Sequence, residues 1–131
     1  MFVEENSVIT SFGYTEKFPE SVKGEVEKIS QKVPDSAIIG RKNYTDRLII
    51  TIDGEDSRDS DDAVEVEMLK NGNYLLGVHI ADVSEYVKPR SETDKEAYER
   101  TTSVYFPDRV IPMLPKELSN GICSLNENEV R

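Results

Sequence analysis

The carboxylates of one short stretch are the residues of this chain best suited to chemistry. From Asp53 to Asp62 the sequence holds six acidic residues and one arginine, a local charge of −5, which is half of the chain's formal −10. Two carboxylates ~4 Å apart near a protein surface repel each other by about 4 kcal/mol. A fold that gathers several carboxylates therefore needs a cation, or must turn them outward into water. The composition leaves both a metal site and a solvated acidic turn open.

The chemistry of these ligands limits which metal ions could bind. Carboxylate oxygens suit hard cations such as Mg²⁺, Mn²⁺ or Ca²⁺. Zinc is not expected, because the chain has one His and one Cys, far apart in sequence. A calcium-binding EF-hand loop that starts at Asp59 also fails, since its sixth position would be Val64 in place of glycine and its twelfth Lys70 in place of glutamate.

The elements around the acidic stretch are predicted to be strands. Residues 47–52 are typical of a strand that delivers Asp53 at its end. Beyond the stretch, apolar and acidic residues alternate up to Met68, and a second apolar run extends over residues 74–83. The Asn-Gly pair between these runs, at positions 71 and 72, predicts a β-hairpin. Its first strand would have one face exposed to solvent. Its second strand is apolar on both faces and would be central in a sheet.

Two helices and an extended segment complete the predicted elements. Apolar residues recur at helical spacing over residues 19–34, between two prolines. Ser91 begins a capping-box pattern and a helix expected to end near Thr102, with Ala97 and Tyr98 facing inward. The prolines of residues 104–115 exclude a helix there and favour extended structure. We therefore predict an α+β fold with a mixed, mainly antiparallel sheet and flanking helices.

Composition excludes several classes of protein. A chain of 131 residues with 37% apolar and 32% charged residues is typical of one globular domain. Its acidic balance argues against a broad basic face that grips RNA phosphates. One cysteine allows no internal disulfide, and the N-terminus has no signal-peptide pattern. No apolar run approaches membrane-spanning length, so we expect a cytoplasmic protein with no membrane partner.

Four further features have a structural interpretation beside a functional one. His79, inside the second hairpin strand, is better explained as a hydrogen-bonded core residue than as a general base. Asp82 could orient neighbours, cap a turn or support a metal ligand. Cys123 is expected to be a small buried apolar residue and not a catalytic thiol. The basic residues around Tyr44 could touch a phosphate group, but a solvated loop explains them as well.

The acidic stretch resembles the signature of a known family. Ile52-Asp53-Gly54-Glu55-Asp56, followed by Asp59-x-Asp61-Asp62-Ala63, is similar to the ribonuclease II / ribonuclease R family with its RNB catalytic domain, and most of all to bacterial ribonuclease R. These enzymes are 3′-to-5′ exoribonucleases that hydrolyse RNA with Mg²⁺. Further stretches occur in the family's order: Phe18-Pro19-Glu20, Gly40-Arg41-Lys42, Gly77-Val78-His79-Ile80-Ala81-Asp82-Val83-Ser84, Thr102-Ser103-Val104-Tyr105, Arg109-Val110-Ile111-Pro112-Met113-Leu114-Pro115 and Leu118-Ser119-Asn120-Gly121-Ile122-Cys123-Ser124-Leu125.

This resemblance implies specific roles. Asp53, Asp59, Asp61 and Asp62 would hold Mg²⁺, or Mn²⁺ in its place, and Asp61 would be the catalytic carboxylate whose loss is most damaging. Tyr105 would stack on the 3′-terminal base of RNA. The implied partner is the single-stranded 3′ end of RNA, degraded processively to nucleoside 5′-monophosphates by a monomeric parent enzyme.

The resemblance also implies a domain organisation. Residues 1–17 would be a lead-in segment, and residues 18–131 the N-terminal part of a truncated RNB catalytic domain, because the family's domain continues well beyond the matching motifs. The isolated fragment would then be inactive. The alternative from another class is a non-catalytic acidic module that binds metal or a protein partner.

Overall fold

The computed structural model describes Ser7, residues 9–54, Ser57 and residues 60–131, which divide into two compact units. The first unit consists of Met1–Lys28 and Val87–Pro115, and the second of Ile29–Tyr86 and Lys116–Arg131. The described elements are helices Glu20–Val26 (α1), Asp35–Ile38 (α2), Val83–Tyr86 (α3) and Glu92–Arg100 (α4), strands Asp62–Met68 (β1), Tyr74–Ile80 (β2), Val104–Tyr105 (β3) and Val110–Ile111 (β4), and a π-helical turn, Glu117–Ile122. Helices together with antiparallel strand pairs confirm the predicted α+β class.

The first unit is built on the packing of α1 against α4. Val22 and Val26 of α1 are buried, as their spacing predicts. The helix nevertheless ends at Val26, short of the predicted end near residue 33. The Ser30 hydroxyl donates to the Lys32 carbonyl and accepts from the Lys32 N–H. Such local side-chain bonds compete with helical hydrogen bonding and so explain the early end.

Helix α4 begins where the sequence predicts. The Asp94 N–H donates to the hydroxyl of Ser91 over 3.1 Å, which is the expected cap. The helix ends at Arg100, followed by Thr101 with a positive φ of 62°. The inward placement predicted for Tyr98 is wrong, because its side chain is 80% exposed. In the second half of the helix the less exposed residues are Glu96, Ala97 and Arg100, a helical spacing that leaves Tyr98 out.

The proline-containing segment of the first unit is extended, as predicted. Strands β3 and β4 have two residues each and pair antiparallel across Pro107. Met113, farther along, donates its N–H to the hydroxyl of Ser103 over 3.0 Å. At the end of α4, the Arg100 guanidinium donates to the carbonyls of Lys17 and Pro112. These hydrogen bonds hold the extended segment in place, although its strands are too short to form a long β-ladder.

The second unit contains the predicted hairpin. Strands β1 and β2 pair antiparallel from Asp62 opposite Ile80 to Met68 opposite Tyr74. Gly72 has a φ of +85°, a conformation that glycine adopts without strain. The Asn-Gly prediction is therefore confirmed, both in its position and in the residue that makes the turn.

The apolar face of this hairpin lies in solvent. Six of its side chains are between 58% and 70% exposed: Val66, Met68, Tyr74, Leu76, Val78 and Ile80. The opposite face, which carries Ala63, Glu65 and His79, is the more buried one. The prediction that the second strand is central is wrong for the described chain, since β2 pairs with β1 alone.

The predicted strand over residues 47–52 is wrong as well. Only Ile50 pairs there, in an isolated antiparallel bridge to Val64. Leu48 and Ile52 are 86% and 79% exposed, so their apolar side chains gain no burial that would support a strand. Within the described part of the chain, no helix is both long and apolar enough to cross a membrane.

Candidate metal centre

One end of the acidic stretch is attached to β1 through Ile50. The N–H of Ile50 donates to the Val64 carbonyl over 3.0 Å, and the Val64 N–H donates back over 2.8 Å. In an antiparallel pair each step forward on one side is a step back on the other. The register of this bridge, continued by three residues, would set Asp53 opposite Asp61.

A side-chain ion pair strengthens this attachment. The Arg47 guanidinium lies 2.7 Å from a carboxylate oxygen of Glu65, whose side chain is only 12% exposed. The same guanidinium lies over the ring of Tyr44, 4.8 Å from the ring centroid. The segment that leads to Asp53 is thus held by backbone and side-chain contacts to one strand.

The other end of the stretch is tied to the segment that follows the π-helical turn. Ser60 donates its N–H to the Ser124 hydroxyl over 3.0 Å, and its carbonyl accepts the Leu125 N–H over 2.8 Å. Ser124 is fully buried, with 0% exposure. Both backbone polar groups of Ser60, the residue before Asp61, are therefore satisfied by one buried partner segment.

The predicted carboxylate ligands that the structure describes are exposed. Asp53 follows the Ile50 bridge, Asp61 precedes β1, and Asp62 is the first residue of β1. Asp59 lies outside the described residues. Over residues 9–54, 57 and 60–131, no three His, Cys, Asp or Glu side chains come close enough together to hold one metal ion. The structure therefore leaves the four-aspartate set as a prediction.

The donors of this stretch suit a hard divalent cation. All four predicted ligands are carboxylates, which Mg²⁺ and Mn²⁺ prefer. The backbone is hydrogen-bonded at Ile50, before the acidic stretch, and at Ser60, near its end. Carboxylates gathered in one place repel other anions. A cation between them would reverse that repulsion.

Beneath the hairpin lies a polar cluster that the sequence analysis missed. Glu65 faces Gly77 across the strands, and a methyl group added at Gly77 would lie 2.6 Å from the Glu65 Cγ. His79 lies on the same face, with its side chain 24% exposed. The prediction that it is a hydrogen-bonded core residue is wrong at its Nε2 atom, which lies 3.6 Å from the Glu65 Oε1 atom and has no hydrogen-bond partner in the described part of the chain. That Glu65 oxygen accepts a hydrogen bond from the Arg47 guanidinium instead. The signal that could have revealed the cluster is a glycine inside a strand, which often marks close packing.

Two further side chains take structural positions. Asp82 accepts hydrogen bonds from the Ser84 hydroxyl and the Arg41 guanidinium, and both lower the pKa of its carboxyl group. Asp82 thereby orients neighbours, one of its three predicted roles, and Arg41 pairs with a carboxylate. Cys123 is buried, and burial raises the pKa of its thiol to about 11. This confirms the structural interpretation of Cys123, because a nucleophilic cysteine needs a thiolate.

Tyr105, the predicted base-stacking residue, lies in β3 of the first unit, and 64% of it is exposed. This exposure is unlike that of a core tyrosine. It leaves much of the ring surface accessible to a ligand.

Comparison with known proteins adds to this geometry. The sequence profile described as "RNB domain" matches residues 41–131. Ribonuclease R 1 of Lactococcus lactis is 56% identical over 119 residues, which are 91% of this chain and 15% of that protein. Ribonuclease R of Thermotoga maritima is 59% identical over 115 residues, 88% of this chain and 16% of that protein. The chain thus spans less than a fifth of the length of these two curated relatives.

A solved structure shows the same fold over nearly the whole chain. Mycoplasma genitalium RNase R in complex with double-stranded RNA superposes with a TM-score of 0.85 at 34% identity, over 95% of this chain and 22% of that chain. The match confirms the prediction that this fold is part of a larger protein.

Proposed function

Because this chain belongs to the RNB domain family, we propose that it is the metal-bearing N-terminal part of the catalytic domain of a 3′-to-5′ exoribonuclease. The parent enzyme would degrade RNA processively from a single-stranded 3′ end to nucleoside 5′-monophosphates. The observation that carries this proposal is that relatives named ribonuclease R match 88–91% of the chain, acidic stretch included. The RNA held by the similar Mycoplasma genitalium protein supports the substrate class.

In this proposal Asp53, Asp59, Asp61 and Asp62 hold Mg²⁺, or Mn²⁺ in its place. A bound divalent ion supplies polarisation of a phosphoryl oxygen and a lower pKa for an attacking water. The chain's own part is to present carboxylates from two flanks that are fastened to the same unit. The chain is acidic overall, with a formal charge of −10, so a cation is needed before RNA phosphate can approach this surface.

Tyr105 is the proposed base-stacking residue. An exposed tyrosine ring can stack on any base, a contact that contributes about 1–3 kcal/mol per base. Such a contact would bind the 3′-terminal nucleotide without reading its sequence. This suits an enzyme that must move along RNA of any sequence.

The test replaces Asp61 by asparagine in the full-length parent enzyme. Removing one metal-binding carboxylate should lower kcat on end-labelled single-stranded RNA by on the order of 100-fold or more, because it weakens charge stabilisation in the transition state. Asp46→Asn is the matched control, since it removes one charge from an exposed turn of the same unit, and it should leave kcat within about twofold. Equal rates for Asp61→Asn and the wild type would contradict the proposal.

A second measurement applies to the 131-residue chain itself. Binding of Mn²⁺ to the folded state alone should add about 2.7 kcal/mol to the free energy of unfolding at 100 times the dissociation constant. The Asp61→Asn variant should lose most of this gain in thermal unfolding at the same ionic strength. A gain that is equal in both proteins would place the bound ion elsewhere.

A further inference from the structure

Ser124 is a buried serine whose every polar group is used. Its hydroxyl accepts the Ser60 N–H over 3.0 Å and donates to the Asn126 side-chain oxygen over 3.2 Å. Its N–H donates to the Gly121 carbonyl, and its carbonyl accepts from the Arg131 guanidinium over 2.8 Å. Such a residue has one orientation available, because turning its hydroxyl away would leave a buried group unsatisfied.

The segment that carries Ser124 is firmly anchored. The π-helical turn before it buries Leu118 and Ile122, which are 0% and 1% exposed. The Cys123 N–H bonds back to the Leu118 carbonyl over 2.9 Å and so closes the turn. Here the turn presents a rigid hydrogen-bonding edge to Ser60.

Ser60 lies between two of the predicted metal ligands in the chain, Asp59 and Asp61. With its N–H and carbonyl both fixed by residues 124 and 125, its backbone direction is set. The direction in which the chain enters Asp61 is then set as well. The metal-binding residues and the Ser124 hydroxyl need not touch for this coupling to operate.

We propose that Ser124 is a positioning residue for Asp61: its buried hydroxyl fixes the backbone of Ser60 and thereby holds Asp61 in the direction that metal binding requires. This inference rests on the proposed function for its consequence in metal binding. The hydrogen bond itself is independent of that function, so the two can fail separately.

The first experiment tests, without metal, whether the hydrogen bond to the Ser124 hydroxyl fixes the Ser60 backbone. In Ser124→Ala, hydrogen exchange of the Ser60 amide, followed by NMR, should become roughly fivefold faster or more, since that N–H loses its acceptor. Ser103→Ala is the matched control, because Ser103 also accepts a backbone N–H through its hydroxyl, in the other unit. It should leave the Ser60 amide unchanged. If the Ser60 amide exchanges at the same rate in Ser124→Ala as in the wild type, the inference is wrong.

The second experiment measures Mn²⁺ affinity by titration of the folded 131-residue chain. Losing a group that orients a ligand typically weakens metal binding about 10- to 100-fold, so Ser124→Ala should raise the Mn²⁺ dissociation constant by about tenfold or more. Ser103→Ala should leave the constant unchanged even if both variants lose thermal stability. Equal affinity in Ser124→Ala and Ser103→Ala would overturn the positioning role.

Asn126→Ala keeps the inference testable if Ser124→Ala does not fold. Asn126 is exposed and accepts a hydrogen bond from the Ser124 hydroxyl. Its loss should therefore raise the Ser60 amide exchange rate and the Mn²⁺ dissociation constant, each by less than Ser124→Ala does. If Asn126→Ala changes neither the exchange rate of the Ser60 amide nor the Mn²⁺ dissociation constant, the inference is wrong. The proposed function can also fail alone. If the wild-type chain binds no Mn²⁺ while the Ser60 amide exchanges faster in Ser124→Ala, the proposed function is contradicted and the hydrogen bond between Ser60 and Ser124 still fixes the Ser60 backbone.

Discussion

At Gly77 the absence of a side chain decides how Glu65 packs. We expect Gly77→Ala to lower the free energy of unfolding by about 1–3 kcal/mol, the usual cost of overpacking. The added methyl would lie 2.6 Å from the Glu65 Cγ, 2.8 Å from its Oε1 and 3.0 Å from the His79 Nε2. Urea denaturation measures the change.

The matched control is Gly24→Ala in α1. Nothing lies within 4 Å of a methyl group added at Gly24, and alanine is the better helix former by about 0.5–1 kcal/mol. The two Gly→Ala changes should therefore shift stability in opposite directions. A gain in stability at Gly77 would mean that Glu65 moves aside at no cost.

Single residues were predictable from sequence where burial alone decided their role. Cys123 is buried, as its apolar neighbours indicate. The pairing of Glu65 with Gly77 was not predictable, because it depends on the register between two strands. Ser124 belongs to a family motif, but its role depends on a partner 64 residues away.

At the scale of elements, a carboxylate from α1 caps α4. Glu25 accepts the backbone N–H groups of Glu92 and Thr93, each over 2.9 Å, and the Thr93 hydroxyl over 2.7 Å. The two backbone bonds are the main cause that lowers the pKa of the Glu25 carboxyl group. Negative charge at a helix N-terminus is favourable, so the ionised form of Glu25 stabilises the contact between the two helices.

The lowered pKa fixes the direction of a pH effect. A carboxyl group whose pKa is lower in the folded state contributes stability above its unfolded pKa and loses it as the pH falls through the folded value. Glu25→Gln should therefore lower the free energy of unfolding by about 1–2 kcal/mol at about pH 7. The difference from the wild type should shrink below about pH 4.

Thermal unfolding between about pH 3 and pH 7 measures this difference. Glu27→Gln is its control, since Glu27 is exposed at the end of the same helix, and it should show a much smaller difference across that range. A Glu25→Gln penalty that stays constant down to the lowest pH would show that the carboxylate charge has no part in the cap.

Elements set by local sequence were predictable, and elements set by distant partners were not. The hairpin turn and the start of α4 depend on a few neighbouring residues, Asn71-Gly72 and Ser91, and both predictions are confirmed. Whether residues 47–52 form a strand depends on pairing along their whole length, which apolar content does not reveal. The burial of β2 depends in the same way on strands that would lie beside it.

At the scale of the whole molecule, the exposed apolar face of the hairpin should make the isolated chain associate. Contiguous apolar patches of this kind mark contact surfaces or aggregation sites. We expect the chain to bind the dye ANS and to sediment faster as its concentration rises. Leu76→Lys, near the middle of the face and 62% exposed, should reduce both effects.

Ile39→Lys is the matched control for this surface. Ile39 is 82% exposed but lies in a turn outside the hairpin, so the same charge there should leave association unchanged. If both lysine variants behave alike, net charge and not the hairpin face governs association.

The bond between Ser60 and Ser124 also sets an order of events during synthesis. A ribosome that has just added Ser60 must add 64 more residues before Ser124 exists. At about 5–20 residues per second, this is a delay of roughly 3–13 s. The hairpin can form early from its own local sequence, whereas Ser60 gains its hydrogen-bond partners only when a segment made much later is present. A nascent chain of this kind would therefore form its hairpin several seconds before the hydrogen bond that fixes the backbone of Ser60.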